Sequence, residues 1–153
     1  MADHFWGEIT IGGTIHQRDI PRFCKELRMD TVDMRWGIKW IGNHRYFVHE
    51  NDEARSGMFD ELERLCRDIG LPYIRKSSGK YEFSPEIVYW LPGMDEPCRT
   101  LTNHDHRMQV AMDEVVEVLG LLRAGETAEA IEKIEQLVVT VPELPSFCVE
   151  EER

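Results

Sequence analysis

The sequence Phe23-Cys24-Lys25-Glu26-Leu27 recurs type for type as Leu65-Cys66-Arg67-Asp68-Ile69, 42 residues further along the chain. Around each copy, apolar residues return every three or four positions, which is the spacing of one face of an α-helix. We therefore predict amphipathic helices over about 20–29 and 58–69. Each carries its cysteine as a small, buried core residue, as is common for free cysteine.

Alternating apolar and polar residues on both sides of these helices predict β-strands. The predicted strands cover residues 5–11, 31–36, 46–49 and 73–76. The resulting order β-α-β-β-α-β is that of a ferredoxin-like α+β domain, in which both helices cover one face of an antiparallel sheet. A turn at 77–79 predicts an extra β-hairpin with 80–83, and a last strand follows at 87–91. We place the domain at residues 1–93.

The C-terminal third is predicted to be helical. Residues 94–102 contain Pro97 and are interpreted as a linker. Residues 103–142 are expected to form an acidic, antiparallel helix pair that packs on the sheet domain, with Asn103 or Asp105 as the first helix cap. The apolar positions of both helices should then be buried. Residues 143–153 are interpreted as an acidic tail.

Charge separates these two parts of the chain. The net charge is −11; residues 1–102 hold 17 acids and 14 bases, whereas residues 103–153 hold 12 acids and 4 bases. Binding to nucleic acid or to an anionic membrane requires a basic surface, so the acidic third argues against both partners. It favours encounter with a basic protein surface. Maintenance of solubility is the alternative reading of the same charge.

The carboxylates form rows along the predicted helices. The first row is Asp113, Glu114 and Glu117, and the second is Glu126, Glu129 and Glu132. Like charges at such spacing cost a helix a few tenths of a kcal/mol each, so the pattern suggests a further role. We predict that these six residues bind a basic protein or a nucleoprotein complex.

The size of the chain, its acidic C-terminal third and these two carboxylate rows resemble the anti-CRISPR class of small phage and plasmid proteins. That resemblance rests on size and acidity, and no family motif accompanies it. It implies a stoichiometric inhibitor that occludes a nucleic-acid-binding surface of its partner without turnover.

No motif for catalysis or metal binding stands out, so we predict a non-enzymatic protein without a cofactor or metal. The alternatives are a small-ligand-sensing or dimeric regulatory domain and a small histidine-dependent enzyme. The candidates for chemistry are His104 and His106 with Cys98 as metal ligands, and His49-Glu50 as an acid–base pair. One basic, aromatic cluster suits stacking on RNA bases: Tyr73, Arg75, Lys76, Lys80, Tyr81 and Phe83.

The four cysteines lie far apart in sequence without a CxxC motif, and the first twelve residues lack the pattern of a signal peptide. No apolar run is long enough to cross a bilayer. These features predict a reducing, cytoplasmic location with free thiols.

Overall fold

The computed structural model describes residues 3–79 and 84–150 of the 153-residue chain. The strands are β1 (His4–Ile11), β2 (Thr14–His16), β3 (Ile38–Ile41), β4 (His44–Arg55), β5 (Tyr73–Ser77), β6 (Glu86–Trp90), β7 (Cys98–Leu101) and β8 (Cys148–Glu150). The helices are α1 (Ile20–Leu27), α2 (Thr31–Met34), α3 (Asp60–Ile69), α4 (Met112–Arg123) and α5 (Thr127–Leu137). The predicted α+β class is confirmed.

Six of the strands form one sheet in the order β3-β4-β1-β5-β6-β7, and each described pair of neighbours is antiparallel. The first strand of the chain lies inside this sheet, where Ile9 is paired with His49 of β4 and with Arg75 of β5. A separate pair joins β2 to β8 in parallel. The predicted partner strand at 80–83 lies outside the described residues.

The core lies between one face of the sheet and helices α1 and α3. Alternate residues of β1 point into it, because successive side chains of a strand face opposite ways, and Ile9 and Ile11 have no exposed surface. Phe23 and Leu27 of α1 close the core with residues of α3, such as Cys66. The two helices predicted from the repeated pentapeptide are therefore present, and both of their cysteines are buried.

The opposite face of the sheet is partly covered by the chain after α5. The hydroxyl of Tyr46 donates a hydrogen bond to the carbonyl of Leu144 at 2.8 Å. Three residues further on, Phe147 is 1% exposed and lies on the core side of the sheet, where it packs against Phe23 and Phe47. Residues 143–153 were expected to be an acidic tail, but apolar burial and the β2–β8 pairing make the described part of it, 143–150, belong to the folded domain.

The strand predicted over 31–36 is wrong. Asp30 caps a short helix there, since its carboxylate accepts a hydrogen bond from the backbone N–H of Asp33 at 2.8 Å. An Asx cap of this kind satisfies an amide that has no partner within the helix. The second strand of the sheet is instead β3, which begins after the predicted one would have ended. The third, β4, is longer than the strand predicted over 46–49 and runs on to Arg55.

Two predictions for the region after β6 also need correction. The expected linker contains β7, which extends the sheet beyond β6. The first of the two C-terminal helices begins at Met112 and not near Asn103. The side chain of Asn103 folds back on the chain instead, accepting hydrogen bonds from the N–H groups of Asp105 and Arg107 at 3.0 and 2.9 Å. This local turn competes with helix formation.

Candidate functional site

The six predicted binding residues lie on or between α4 and α5. Five of them are exposed and Glu114 is half-buried. The helices contact each other and are joined by three residues, so they run antiparallel as a helical hairpin, residues 112–137. Seven acids and two bases within this hairpin give it a net charge of −5. The structure thus brings the two carboxylate rows into one small element.

The hairpin carboxylates remain almost free of internal neutralisation. Among the described residues their only salt bridge joins Glu117 to Lys133 at 3.5 Å, within the hairpin itself. No arginine or lysine of the described sheet domain forms a salt bridge with them. Their charge is therefore available to a partner, although it is screened by salt at the surface.

The apolar residues of the hairpin differ from the expectation. We predicted a buried stripe, yet Val118 and Ala130 are the only buried residues of the two helices. Leu119 and Ile134 are each 42% exposed, and Met112 is 72% exposed. Sequence periodicity detects an apolar face correctly but cannot say what covers it.

A buried charge cluster in the sheet domain was missed by the sequence analysis. The guanidinium of Arg75, 1% exposed, contacts Glu63 and Glu86 at 3.0 Å each, and donates a further hydrogen bond to the carbonyl of Gly57. Burial opposes its charged form, but the carboxylates of Glu63 and Glu86 outweigh that effect and raise the pKa of Arg75. Arg75 lies on the same face of β5 as Tyr73 and Ser77, which are also buried, although the sequence analysis placed it in an accessible cluster.

An open cleft of about 510 Å³ lies beside this cluster. Its walls include Arg67, Arg99 and Asp95 together with Arg75 and Glu63. Arg99 contacts Glu86 at 3.4 Å, and Arg67 donates a hydrogen bond to the hydroxyl of Tyr73. The arginines of the cleft are thus engaged with neighbouring side chains, and the cleft adds no specific support to the small-ligand alternative.

The histidine-based metal site is not assembled. His106 has a left-handed backbone conformation (φ 58°), and its Nε2 lies 3.1 Å from the carbonyl oxygen of Ser77. Its ring also contacts Trp6. No cluster of three or more potential metal ligands occurs within residues 3–79 and 84–150. The sequence placed these histidines at a helix start, whereas they lie in the turn that precedes α4.

The His49-Glu50 pair does not act together either. Neighbouring residues of a strand point to opposite faces of the sheet. His49 packs its ring against Phe59, whereas Glu50 accepts a hydrogen bond from the indole N–H of Trp6. Burial lowers the pKa of His49, which favours a neutral, structural imidazole.

The aromatic, basic cluster is also divided. Tyr73 and Arg75 point into the core and are inaccessible to a base, while Lys80, Tyr81 and Phe83 lie outside the described residues. Exposed aromatic residues occur elsewhere: Trp36 is 81% exposed, and Trp40 is 70% exposed with the guanidinium of Arg45 at 5.9 Å from its ring centre.

Comparison of the chain with protein-family models, with curated proteins and with solved structures gives no match. None of the helices in the described residues is both long and apolar enough to cross a membrane. Functional interpretation therefore depends on the surface itself.

Proposed function

We propose that this protein is a non-enzymatic binding protein whose hairpin carboxylates dock on a basic surface of a partner protein. The observation that carries the proposal is the cluster of Asp113, Glu114, Glu117, Glu126, Glu129 and Glu132 on one exposed hairpin, with a single internal salt bridge among the described residues. A basic surface that normally binds nucleic acid is the natural complement of such an element. Occlusion of that surface would make the protein an inhibitor, in the manner of anti-CRISPR proteins.

The supporting frame is a sheet domain that we infer to be ferredoxin-like. The strand order β3-β4-β1-β5, with α1 and α3 on one face, favours this assignment. Strands β6 and β7 then extend the sheet on the side of β5. Four free cysteines favour action in a reducing compartment such as the cytoplasm.

The test compares two charge-reversed variants that change the net charge equally. The hairpin variant replaces Glu114, Glu117, Glu129 and Glu132 by Lys. The control variant replaces Glu26, Asp52, Glu53 and Asp68 by Lys, four exposed acids of the sheet domain. Each protein is immobilised and exposed to a nuclease-treated extract of its native host at low and high salt, and the captured proteins are identified by mass spectrometry.

We expect the wild type and the control variant to retain a basic protein at low salt, and we expect high salt or the hairpin variant to release it. The purified partner should then lose its nucleic acid when one equivalent of the wild-type protein is added. Equal capture by both variants, or a partner that still binds its nucleic acid, would contradict the proposal. Circular dichroism of each variant establishes that it is folded.

A further inference from the structure

The helical hairpin has a second surface, which is apolar and uncovered. Eight large side chains on it are between 42% and 72% exposed. They are Met112, Val115, Val116, Leu119 and Leu122 of α4, and Ile131, Ile134 and Val138 at and after α5. Monomeric proteins rarely leave a contiguous apolar patch of this kind uncovered unless it serves binding.

Helical geometry places these side chains on one side of the hairpin. At about 100° per residue, the five residues of α4 fall within roughly a third of its circumference. Val118 lies beside that sector and is the buried residue of α4, a helix that contacts α5, so we take Val118 to mark the line of contact. In α5 the exposed Ile131 and Ile134 lie in the same rotational sense from the buried Ala130. The two helices run antiparallel. Residues that are rotated in the same sense from the line of contact, one in each helix, therefore lie on the same face of the hairpin, and so do the two apolar sectors.

Most of the carboxylates lie outside this face. Glu117 of α4, and Glu129 and Glu132 of α5, are each more than a quarter of a turn from the apolar sector of their helix, and Asp113 is about a sixth of a turn from it. The salt bridge between Glu117 and Lys133 lies on this acidic side of the pair. Of the charged residues of α4 and α5, Arg123 alone falls within the apolar sector, at the end of α4. The hairpin therefore has one acidic face and one nearly uncharged apolar face.

The hairpin also has little internal burial to hold it together. Its helices contain 12 and 11 residues, and isolated helices of that length are marginal in water. Val118 and Ala130 are the only fully buried residues in them. In proteins most helical stability comes from covering an apolar face, so a two-helix layer with this face open has the form of half of a four-helix bundle.

We propose that a second copy of this chain covers the apolar face, so that two hairpins form a symmetric four-helix bundle. The exposed apolar side chains amount to on the order of 700 Å² per copy, close to the ~800 Å² that each partner contributes to a standard interface. The spacing Val115–Leu119–Leu122 and Ile131–Ile134–Val138 is that of helix-packing seams. A two-fold axis through the face lets each surface pack against its own copy.

Charge favours a second copy over a basic partner at this face. Pairing of two apolar faces leaves the carboxylates on the outside of the bundle, so the like charges of the two copies do not face each other directly. A cationic partner would instead meet an almost neutral surface and would gain little electrostatic attraction there. Dimerisation by the apolar face does not require the acidic face to bind anything, and it would present two acidic faces outward.

The experiment measures the molar mass of the full chain by light scattering after gel filtration, over a range of micromolar concentrations. We expect the wild type to reach twice the monomer mass as its concentration rises. Leu119→Lys and Ile134→Lys place a charge at the centre of the interface, and each should raise the dimer dissociation constant by roughly 30-fold or more. Both variants reduce the net negative charge, so general repulsion between copies cannot explain a loss of association.

Gln136→Lys is the matched control, because it adds the same charge at an exposed position on the acidic side of α5. It should leave the dissociation constant unchanged. In the wild type, amide hydrogen exchange in α4 and α5 should slow as concentration increases, and this measurement requires no variant to fold. The proposal is overturned if the wild type is a monomer at every concentration. It is also overturned if both lysine variants fold and still form the dimer, or if hydrogen exchange in α4 and α5 does not depend on concentration.

Discussion

Apolar residues in the sheet domain and in the helical hairpin have opposite surroundings. Ile9, Phe23 and Tyr73 have no exposed surface, whereas Leu119 and Ile134 keep 42% of theirs. The charged groups differ in the same way. Arg75 is enclosed by two carboxylates in the core, while the hairpin acids face solvent almost unpaired. The sheet domain is therefore stabilised from within the chain, whereas the hairpin leaves most of its apolar and acidic side chains open to solvent.

Removal of the buried cation should cause the largest loss of stability. Arg75→Met leaves Glu63 and Glu86 without their shared partner. Because the side chains of Glu63 and Glu86 are only 7% and 10% exposed, we expect the free energy of unfolding to fall by about 3–5 kcal/mol, as measured by urea denaturation. Arg99→Met is the control, because Arg99 contacts the same Glu86 but has a side chain that is 58% exposed; its effect should stay within about 1 kcal/mol. Equal losses in the two variants would show that burial does not set the difference.

Two glycine substitutions should have opposite signs in the two regions. A Cβ on Gly12 would lie 2.2 Å from the carbonyl oxygen of Pro145, so Gly12→Ala must displace the C-terminal segment, at a cost of about 1–3 kcal/mol. A Cβ on Gly120 of α4 would meet nothing within 4 Å. Gly120→Ala should therefore stabilise by up to about 1 kcal/mol, through better helix propensity. Both are measured by urea denaturation, and destabilisation by Gly120→Ala would mean that this side of α4 is covered.

Alkaline pH should weaken the sheet domain through Tyr73. Burial, followed by the charge of Glu63, raises the pKa of this phenol from 10 to about 12. The folded state therefore holds its proton more tightly than the unfolded state. The contribution of Tyr73 to the free energy of unfolding is fully present below pH 10 and is lost as the pH rises from about 10 to about 12.

Tyr73→Phe removes this titration. Between pH 10 and pH 12 its free energy of unfolding should decline less steeply than that of the wild type. The two slopes should differ by at most about 1.4 kcal/mol per pH unit. Below pH 10 the variant should show a constant offset, because it lacks the hydrogen bond from Arg67. Identical slopes for the two proteins above pH 10 would contradict the assignment.

Thiol reactivity should distinguish the core of the sheet domain from its surface without changing stability. Cys148 is exposed and Cys98 is half-buried, so both should react with a disulfide reagent in the native protein. Cys24 and Cys66 are buried, and burial raises the pKa of both thiols, which lowers their thiolate population. They should react only when the protein unfolds. Rapid reaction of all four thiols would show that α1 and α3 do not enclose a stable core.

The sequence predicts elements well where the local pattern and the tertiary setting agree. The two long helices of the sheet domain and strand β5 lie close to their predicted positions, because periodicity and turn residues both mark them. The strand predicted over 31–36 failed because a single side-chain cap from Asp30 outweighed the alternating pattern. The predicted helix start at Asn103 failed through a comparable local hydrogen bond.

The candidate site was only partly predictable for a different reason. Charge rows are visible in sequence, and the hairpin does carry Asp113, Glu117, Glu129 and Glu132 on its solvent side. Whether an amphipathic helix turns its apolar side to its own chain or to solvent depends on the path of the connecting segments. The three-way contact of Arg75, Glu63 and Glu86 also joins residues of three different elements, which no local pattern reveals.

The insertion of Phe147 among Phe23 and Phe47 has a topological consequence. The sheet domain is discontinuous in sequence, since its core is complete only when residues near 147 have joined those before 101. The hairpin is consequently an insertion in that domain, because the chain segments before and after it both belong to the sheet domain. During synthesis the carboxylate rows emerge before the last core aromatic, so the final closure of the core comes after the hairpin is available for folding.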